Sequence, residues 1–174
     1  MVGGGQGSFI GDVHRRASRI DGMIDLVCGA FSSDAERSLQ SAEALGVAPE
    51  RAYKSFEEMI KKEAELPENE RMDFVAIVTP NHMHFPPAKL ALESGFHVIC
   101  DKPVTLTLEE AFDLQKVVKS SGKIFALTHN YTGYPMVKQA RLMIANGELG
   151  ELRKVVVHYL QGWMSTAVEE TENK

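Results

Sequence analysis

Glycine occupies positions 3, 4, 5, 7 and 11 of the chain, in the run Gly3-Gly4-Gly5-Gln6-Gly7-Ser8-Phe9-Ile10-Gly11. Glycine lets an anion approach the backbone closely, and a helix starting directly afterwards offers free N–H groups and the positive end of its dipole. Such a loop suits a pyrophosphate, with Gly3, Gly5, Gly7, Ser8, Phe9 and Ile10 as its candidate contacts. Gly3-Gly4-Gly5 supplies a G-x-G, and the third small residue is either Ser8 at the normal spacing or Gly11 in a longer loop. No Gly-Lys-Ser/Thr follows, which disfavours a P-loop. Taken alone, the run also fits a flexible terminus.

Two further clusters can do chemistry. Thr79-Pro80-Asn81, with His84 three residues on, follows the apolar run DFVAIV, and Asp101-Lys102-Pro103 follows FHVIC. Oxidising an alcohol requires a proton to leave oxygen as hydride leaves carbon. A lysine buried beside a cofactor can have its pKa lowered toward neutrality and serve in a proton relay; the plain alternative is a polar turn that ends a strand. In NAD-binding folds an acid about 20 residues past the glycines holds the adenosine ribose. Here that stretch reads Ala30-Phe31-Ser32-Ser33-Asp34. Ser32 and Ser33, with Arg37 one turn on, suit a 2′-phosphate and lean the cofactor toward NADP over NAD. Ser33 or Asp34 also fits a helix cap, and the two roles are compatible. His82 and His84 flank Met83 without a carboxylate or cysteine to complete a metal site, so no metal is predicted. His129 and Asn130 sit at a strand tip, facing either a cleft or solvent.

Positioning these residues falls to apolar runs alternating with helical stretches, the pattern of βαβ units and a parallel sheet. Met1-Val2 is the stump of a strand. Helices are predicted over 8–20, 34–45, 55–66, 108–120 and 136–145, and from the Thr-Pro-Asn turn to Ser94. Ser55 with Glu58 forms a capping-box pattern. Strands are predicted over 23–30, 73–78, 96–100, 123–128 and 152–160, and the polar tail STAVEETENK ends the chain. The fold class is α/β, a doubly wound parallel sheet over residues 1–148. Residues 149–174 read as only the start of a second, α+β domain.

At 174 residues the chain suffices for one ordinary domain, which buries roughly 70% of its unfolded surface. Its formal charge of −5 and lack of a basic stripe argue against a nucleic-acid partner. No apolar stretch reaches the ~20 residues of a membrane span, and signal-peptide features are missing. Cys28 and Cys100 each lie in a short apolar run and read as buried, reduced thiols, which points to the cytoplasm.

Thr79-Pro80-Asn81-x-x-His84 followed by Asp101-Lys102-Pro103, together with a glycine loop reaching His14 and the segment NYTGYP at 130–135, resembles the glucose–fructose oxidoreductase/inositol dehydrogenase (Gfo/Idh/MocA) family. The resemblance implies a Rossmann-type domain and an NAD(P)-dependent oxidoreductase. It would transfer hydride between nicotinamide and a small carbohydrate-like substrate, a sugar, polyol or related hydroxy compound. Thr79, Pro80 and Asn81 would line the nicotinamide ribose, with His84 beside them, and Asn130 would join the cofactor group. Lys102 would be the catalytic lysine, bonding the substrate hydroxyl and the nicotinamide ribose. Asp101 replaces the family's usual Glu, keeping the charge with a shorter reach.

Two absences qualify this reading. The central first strand has only Met1-Val2, where about five residues are usual. The Asp and His that the family's second domain contributes, four residues apart, do not follow residue 150. The expectation is a truncated chain of low or no activity, whose parent forms homo-oligomers through the missing domain. A non-catalytic dinucleotide-binding sensor or scaffold is the alternative.

Overall fold

The computed structural model of the protein describes residues 1–160 and 162–165. Four parallel strands, β1 (Val2–Gly3), β2 (Phe74–Val78), β3 (His97–Cys100) and β4 (Phe125–Leu127), lie side by side in that order. Val2 stands opposite Ile77, Ile77 opposite Cys100, and Cys100 opposite Leu127. On the other side of β1 the sheet continues as two single bridges, Val2 with Ala30 and Gly29 with Ala52. The chain therefore winds outward from β1 in both directions, the doubly wound order, which reverses between β1 and β2.

The bridge at 29–30 is all that forms of the strand predicted over 23–30. Met1 donates its amino group to the Cys28 carbonyl at 2.8 Å, and the Ala30 N–H returns to the Met1 carbonyl at 3.0 Å. Residues 23–27 form no ladder, and Met23 stands 82% exposed.

Six α-helices follow the sequence pattern closely. α1 (Phe9–Arg19) is capped by Ser8, α2 (Ala35–Ala44) by Asp34 and α3 (Phe56–Glu65) by Ser55, each oxygen accepting from an N–H three residues on. α4 (Phe85–Glu93) begins on prolines, and α5 (Leu108–Ser121) ends at Gly122 in the left-handed region, φ +66°. The capping box expected at Ser55 is half made: the Glu58 carboxylate accepts from the Lys54 N–H at 3.1 Å instead of from Ser55. A complete box stands at Thr107 and Glu110, where the sequence reading did not place one. Among the described residues no helix is long and apolar enough to cross a membrane.

Period-two alternation along β2 divides the core between the two faces of the sheet. Val75 and Ile77 pack with Met59 and Ile60 of α3, Ala88 and Leu92 of α4, Phe96 and Leu114. Val78, with Ala76 packed against it, joins Met1, Phe31, Ala42 and Val47 on the other face. Each fully buried aliphatic side chain contributes about 1.5–3 kcal/mol. Under the first face lies a carboxylate that the sequence reading passed over. Glu63 is 0% exposed and accepts from the Arg51 guanidinium through both oxygens, from the Tyr53 hydroxyl at 2.9 Å and from the Met72 N–H at 3.0 Å. Every lone-pair direction is occupied, as a buried carboxylate requires.

The chain divides into two compact units, Met1–His129 and Asn130–Lys174, where the sequence placed the division after 148. In the second, a 3-10 turn (Asn130–Gly133) leads into α6 (Pro135–Ala145). Tyr131 meets Tyr134 and Tyr159 edge to face, at 5.4 and 5.3 Å between centroids. The strand expected over 152–160 does not form. Val155, Val157 and Leu160 are exposed, and no described backbone pairs with theirs. Residues 166–174 of the expected polar tail, and the Trp163 side chain, lie outside the described residues.

Candidate functional site

Parallel strands deliver their carboxyl ends to one edge of the sheet, which is where the chemistry-bearing turns fall. β1 runs into the glycine loop, β2 into Thr79, β3 into Asp101 and β4 into Thr128.

Gly3, Gly4 and Gly7 adopt φ of +75°, +75° and +80°, a backbone that side chains with a Cβ disfavour by about 1–2 kcal/mol. The two candidates for the third small residue take different roles. A Cβ on Gly11 would meet the Gly4 Cα at 2.4 Å, so this glycine is where α1 presses on the loop. Ser8 is the cap, its hydroxyl accepting from the Gly11 N–H at 3.2 Å. Arg15 donates to the Gly4 carbonyl, bracing the loop from one turn further along. The N–H groups of Gly7, Phe9 and Ile10 enter no hydrogen bond with the described residues, and a Cβ on Gly7 would meet nothing within 4 Å. Free N–H groups, open space and a helix start together form a cradle that a pyrophosphate fits.

At the next strand end, Ser32 accepts from the Asp34 N–H at 3.1 Å, and Asp34 from the Arg37 N–H at 2.8 Å. Asp34 is thus the helix cap. Ser33 and Arg37 are exposed, and Arg37 enters no ion pair among the described residues.

The glycine loop touches the turn after β2, since a Cβ on Gly3 would come within 3.0 Å of the Thr79 methyl. The Thr79 hydroxyl donates to the Met83 carbonyl at 2.9 Å, folding the turn back on itself, while Pro80 and Asn81 are exposed. His84 is 1% exposed. Its Nδ1 lies 2.6 Å from the Pro103 carbonyl oxygen and its Nε2 3.0 Å from that of Thr79. The ring therefore bridges the turns after β2 and β3.

Asp101 resolves the question its shorter reach raised. Its Oδ1 accepts from the Thr128 hydroxyl at 2.5 Å and lies 3.9 Å from His14 Nε2 of α1. Burial lowers the His14 pKa, and the Asp101 charge partly opposes that. Burial likewise pushes the Cys100 thiol up to about 12, with a smaller push from Asp101. Lys102 is exposed: the burial expected around it is not supplied by the described residues. The Lys102–Pro103 peptide is cis.

Gly3, Gly5, Gly7, Ser8, Phe9, Ile10, Thr79, Pro80, Asn81, His84, Asp101 and Lys102 thus lie in or beside three consecutive turns of one sheet edge, with Ser32, Ser33 and Arg37 beyond the bridge on the far side of β1. Asn130 opens the second unit and is exposed, as is His129 at the end of the first. Arg15 and Thr128 were not singled out from sequence, and His14 only as the end of the glycine loop. Gly11, His14 and Arg15 share the i, i+3, i+4 spacing of one helix face, a signal that could have found Arg15. Among the described residues no group of three His, Cys, Asp or Glu is placed to hold a metal ion.

A family model, GFO_IDH_MocA, described as an oxidoreductase family with an NAD-binding Rossmann fold, matches residues 1–140. An uncharacterized oxidoreductase, YfiI, of Bacillus subtilis (strain 168) is 38% identical over 95% of this chain and 42% of its own length. Among solved structures, an oxidoreductase from Sinorhizobium meliloti superposes with a TM-score of 0.82 at 51% identity, covering 87% of this chain and 41% of that one. An inositol dehydrogenase homolog from Azotobacter vinelandii, complexed with NADH and myo-inositol, gives a TM-score of 0.83 at 42% identity, covering 88% and 40%. The chain spans about two fifths of the length of these relatives.

Proposed function

The chain belongs to the Gfo/Idh/MocA family of oxidoreductases with an NAD-binding Rossmann fold, and from that premise we propose that it is the dinucleotide-binding part of a dehydrogenase acting on a sugar, polyol or related hydroxy compound. The observation that carries the reading is the meeting of the glycine loop, the Thr79 turn and the Asp101-Lys102-Pro103 turn at one edge of the sheet. The N–H groups of Gly7, Phe9 and Ile10 hold the pyrophosphate; Gly3 and Gly5 let the loop lie close against Thr79 and Ser41, and Ser8 fixes the helix start behind it. Thr79, Pro80 and Asn81 line the nicotinamide ribose. When bound, the nicotinamide supplies the hydride acceptor or donor. The Lys102 side chain hydrogen-bonds the substrate hydroxyl: as the neutral amine it takes the hydroxyl proton when the alcohol is oxidised, and as the ammonium it returns one when the carbonyl is reduced. Asp101 keeps that turn in place through Thr128. The substrate class is supported by the similar Azotobacter protein, complexed with myo-inositol.

The exposure of Lys102 favours cofactor binding without efficient turnover by the 174-residue chain itself. Titration followed by nicotinamide fluorescence is expected to show saturable binding of NADH or NADPH, with little or no steady-state dehydrogenation. Binding of neither dinucleotide overturns the reading, and robust turnover overturns the expectation for the chain alone. Ser32, Ser33 and Arg37 are assigned to the adenosine ribose. A guanidinium beside two hydroxyls gives NADPH preference over NADH as the expected outcome. Equal or tighter binding of NADH removes that preference and leaves the dinucleotide assignment standing.

A further inference from the structure

His84 was expected beside the nicotinamide ribose, yet its ring is buried and both of its nitrogens face main-chain carbonyl oxygens, of Thr79 and of Pro103. Each carbonyl offers only an acceptor. The Pro103 carbonyl, at 2.6 Å, accepts from Nδ1 when the ring is the Nδ1–H tautomer or the imidazolium; the Nε2–H tautomer would bond only Thr79, within the ring's own turn. The ring thus has no nitrogen left to contact a ligand. Its partners belong to the two turns that flank the candidate chemistry, one carrying Thr79-Pro80-Asn81 and the other Lys102.

We propose that His84 is a positioning residue, a clamp fastening the turn after β2 to the turn after β3 and so fixing where Lys102 stands relative to the nicotinamide half of the cofactor. The inference rests on the dinucleotide reading for its consequence, though not for the clamp itself. Three observations support it. The Thr79 turn is already folded by its own Thr79-to-Met83 and Met83-to-Pro80 hydrogen bonds, so it is a firm anchor. The strand end before Lys102 is held through the Asp101 N–H to the Ile77 carbonyl and through Thr128. Past Lys102, the tie that joins Pro103 to this anchor among the described residues is the His84 ring. Breaking it frees the lysine's far side while leaving the sheet intact.

The test uses the whole 174-residue chain and two variants, His84→Gln, which keeps one donor group, and His84→Phe, which fills the space without one. The Lys102 and Val104 backbone amides are expected to gain fast motion, read as lower NMR order parameters, in His84→Phe and less so in His84→Gln, while Met83, Asp101, Ala76 and Ile99, held by their own hydrogen bonds or within the strands, stay unchanged. NADH affinity is expected to fall about ten-fold in His84→Phe, while ADP-ribose, which lacks the nicotinamide, binds as before. Unchanged order parameters at Lys102 and Val104 overturn the clamp, and so does equal weakening of NADH and ADP-ribose, which would mark a merely structural residue. Wild-type chain that binds neither ligand overturns the dinucleotide reading instead, and the Lys102 and Val104 amides still decide whether His84 couples the turns. Should neither variant fold, proton NMR of the wild-type chain decides. A slowly exchanging His84 ring N–H supports the clamp, and a ring N–H exchanging as fast as that of exposed His82 overturns it.

Discussion

Gly11 and Gly7 are demanded by different physics, and their alanine variants separate the two. Gly11 is helical, but its Cβ would lie 2.4 Å from the Gly4 Cα and 2.6 Å from the Gly4 carbonyl oxygen, both of them backbone. Forcing such an overlap costs about 1–3 kcal/mol or more and displaces the loop. Gly7 has open space and a left-handed φ, so alanine there costs about 1–2 kcal/mol from strain alone. Thermal denaturation is expected to rank Gly11→Ala as the less stable variant; both should weaken NADH binding, Gly11→Ala by displacing the N–H groups and Gly7→Ala by putting a methyl in the space the pyrophosphate would fill. The reverse order would mean that α1 does not pack on the loop as described. Sequence identified the loop but left Gly11 and Ser8 as alternatives, because spacing counts residues along the chain and the deciding contact crosses it. Asp101 was legible as a charged turn residue. Its hydroxyl partner, Thr128, lies 27 positions away and could not be paired with it from sequence.

Helices were read almost to the residue, since caps, glycine stops and prolines act within a few positions. Strands were not. The run over 152–160 carries β-branched residues, but a strand exists only where a ladder to another backbone forms, and none is formed over 152–160. Of the stretch over 23–30, only Gly29 and Ala30 find a partner backbone. The segment linking those bridges to β2 depends on Glu63, whose ionised side chain joins Arg51, Tyr53 and the Met72 N–H. Removing one partner from a buried ion pair costs about 3–5 kcal/mol, so Glu63→Ala should lower the urea midpoint sharply. A loss below about 1 kcal/mol, the typical worth of an exposed pair, would show that water reaches the Arg51 guanidinium and the pair is not holding this segment. The acidic residues of α3 look alike in sequence, and only burial distinguishes Glu63 from Glu57 or Glu58.

Across the whole molecule, stability should fall on the alkaline side. Burial raises the Cys28 and Cys100 thiols, Cys100 to about 12, and the Tyr53 hydroxyl is raised by burial and by Glu63. Above about pH 9 the unfolded thiols ionise while the folded ones stay protonated, so the unfolded state binds fewer protons and the slope of stability against pH is negative. Urea denaturation at pH 8 and pH 10 is expected to show this loss, and a Cys28→Ala/Cys100→Ala variant should show less of it. An identical loss in the variant would assign the effect to other groups. The same separation between what a side chain supplies and what the backbone supplies gives the His84 clamp an evolutionary consequence. Its two acceptors are peptide carbonyls, which every residue carries, so substitutions at 79 and 103 preserve the acceptors and only position 84 can lose the donor. A lineage drifting toward new substrates can therefore rewrite the side chains of both turns while keeping them joined, and it is exposed to failure at a single codon.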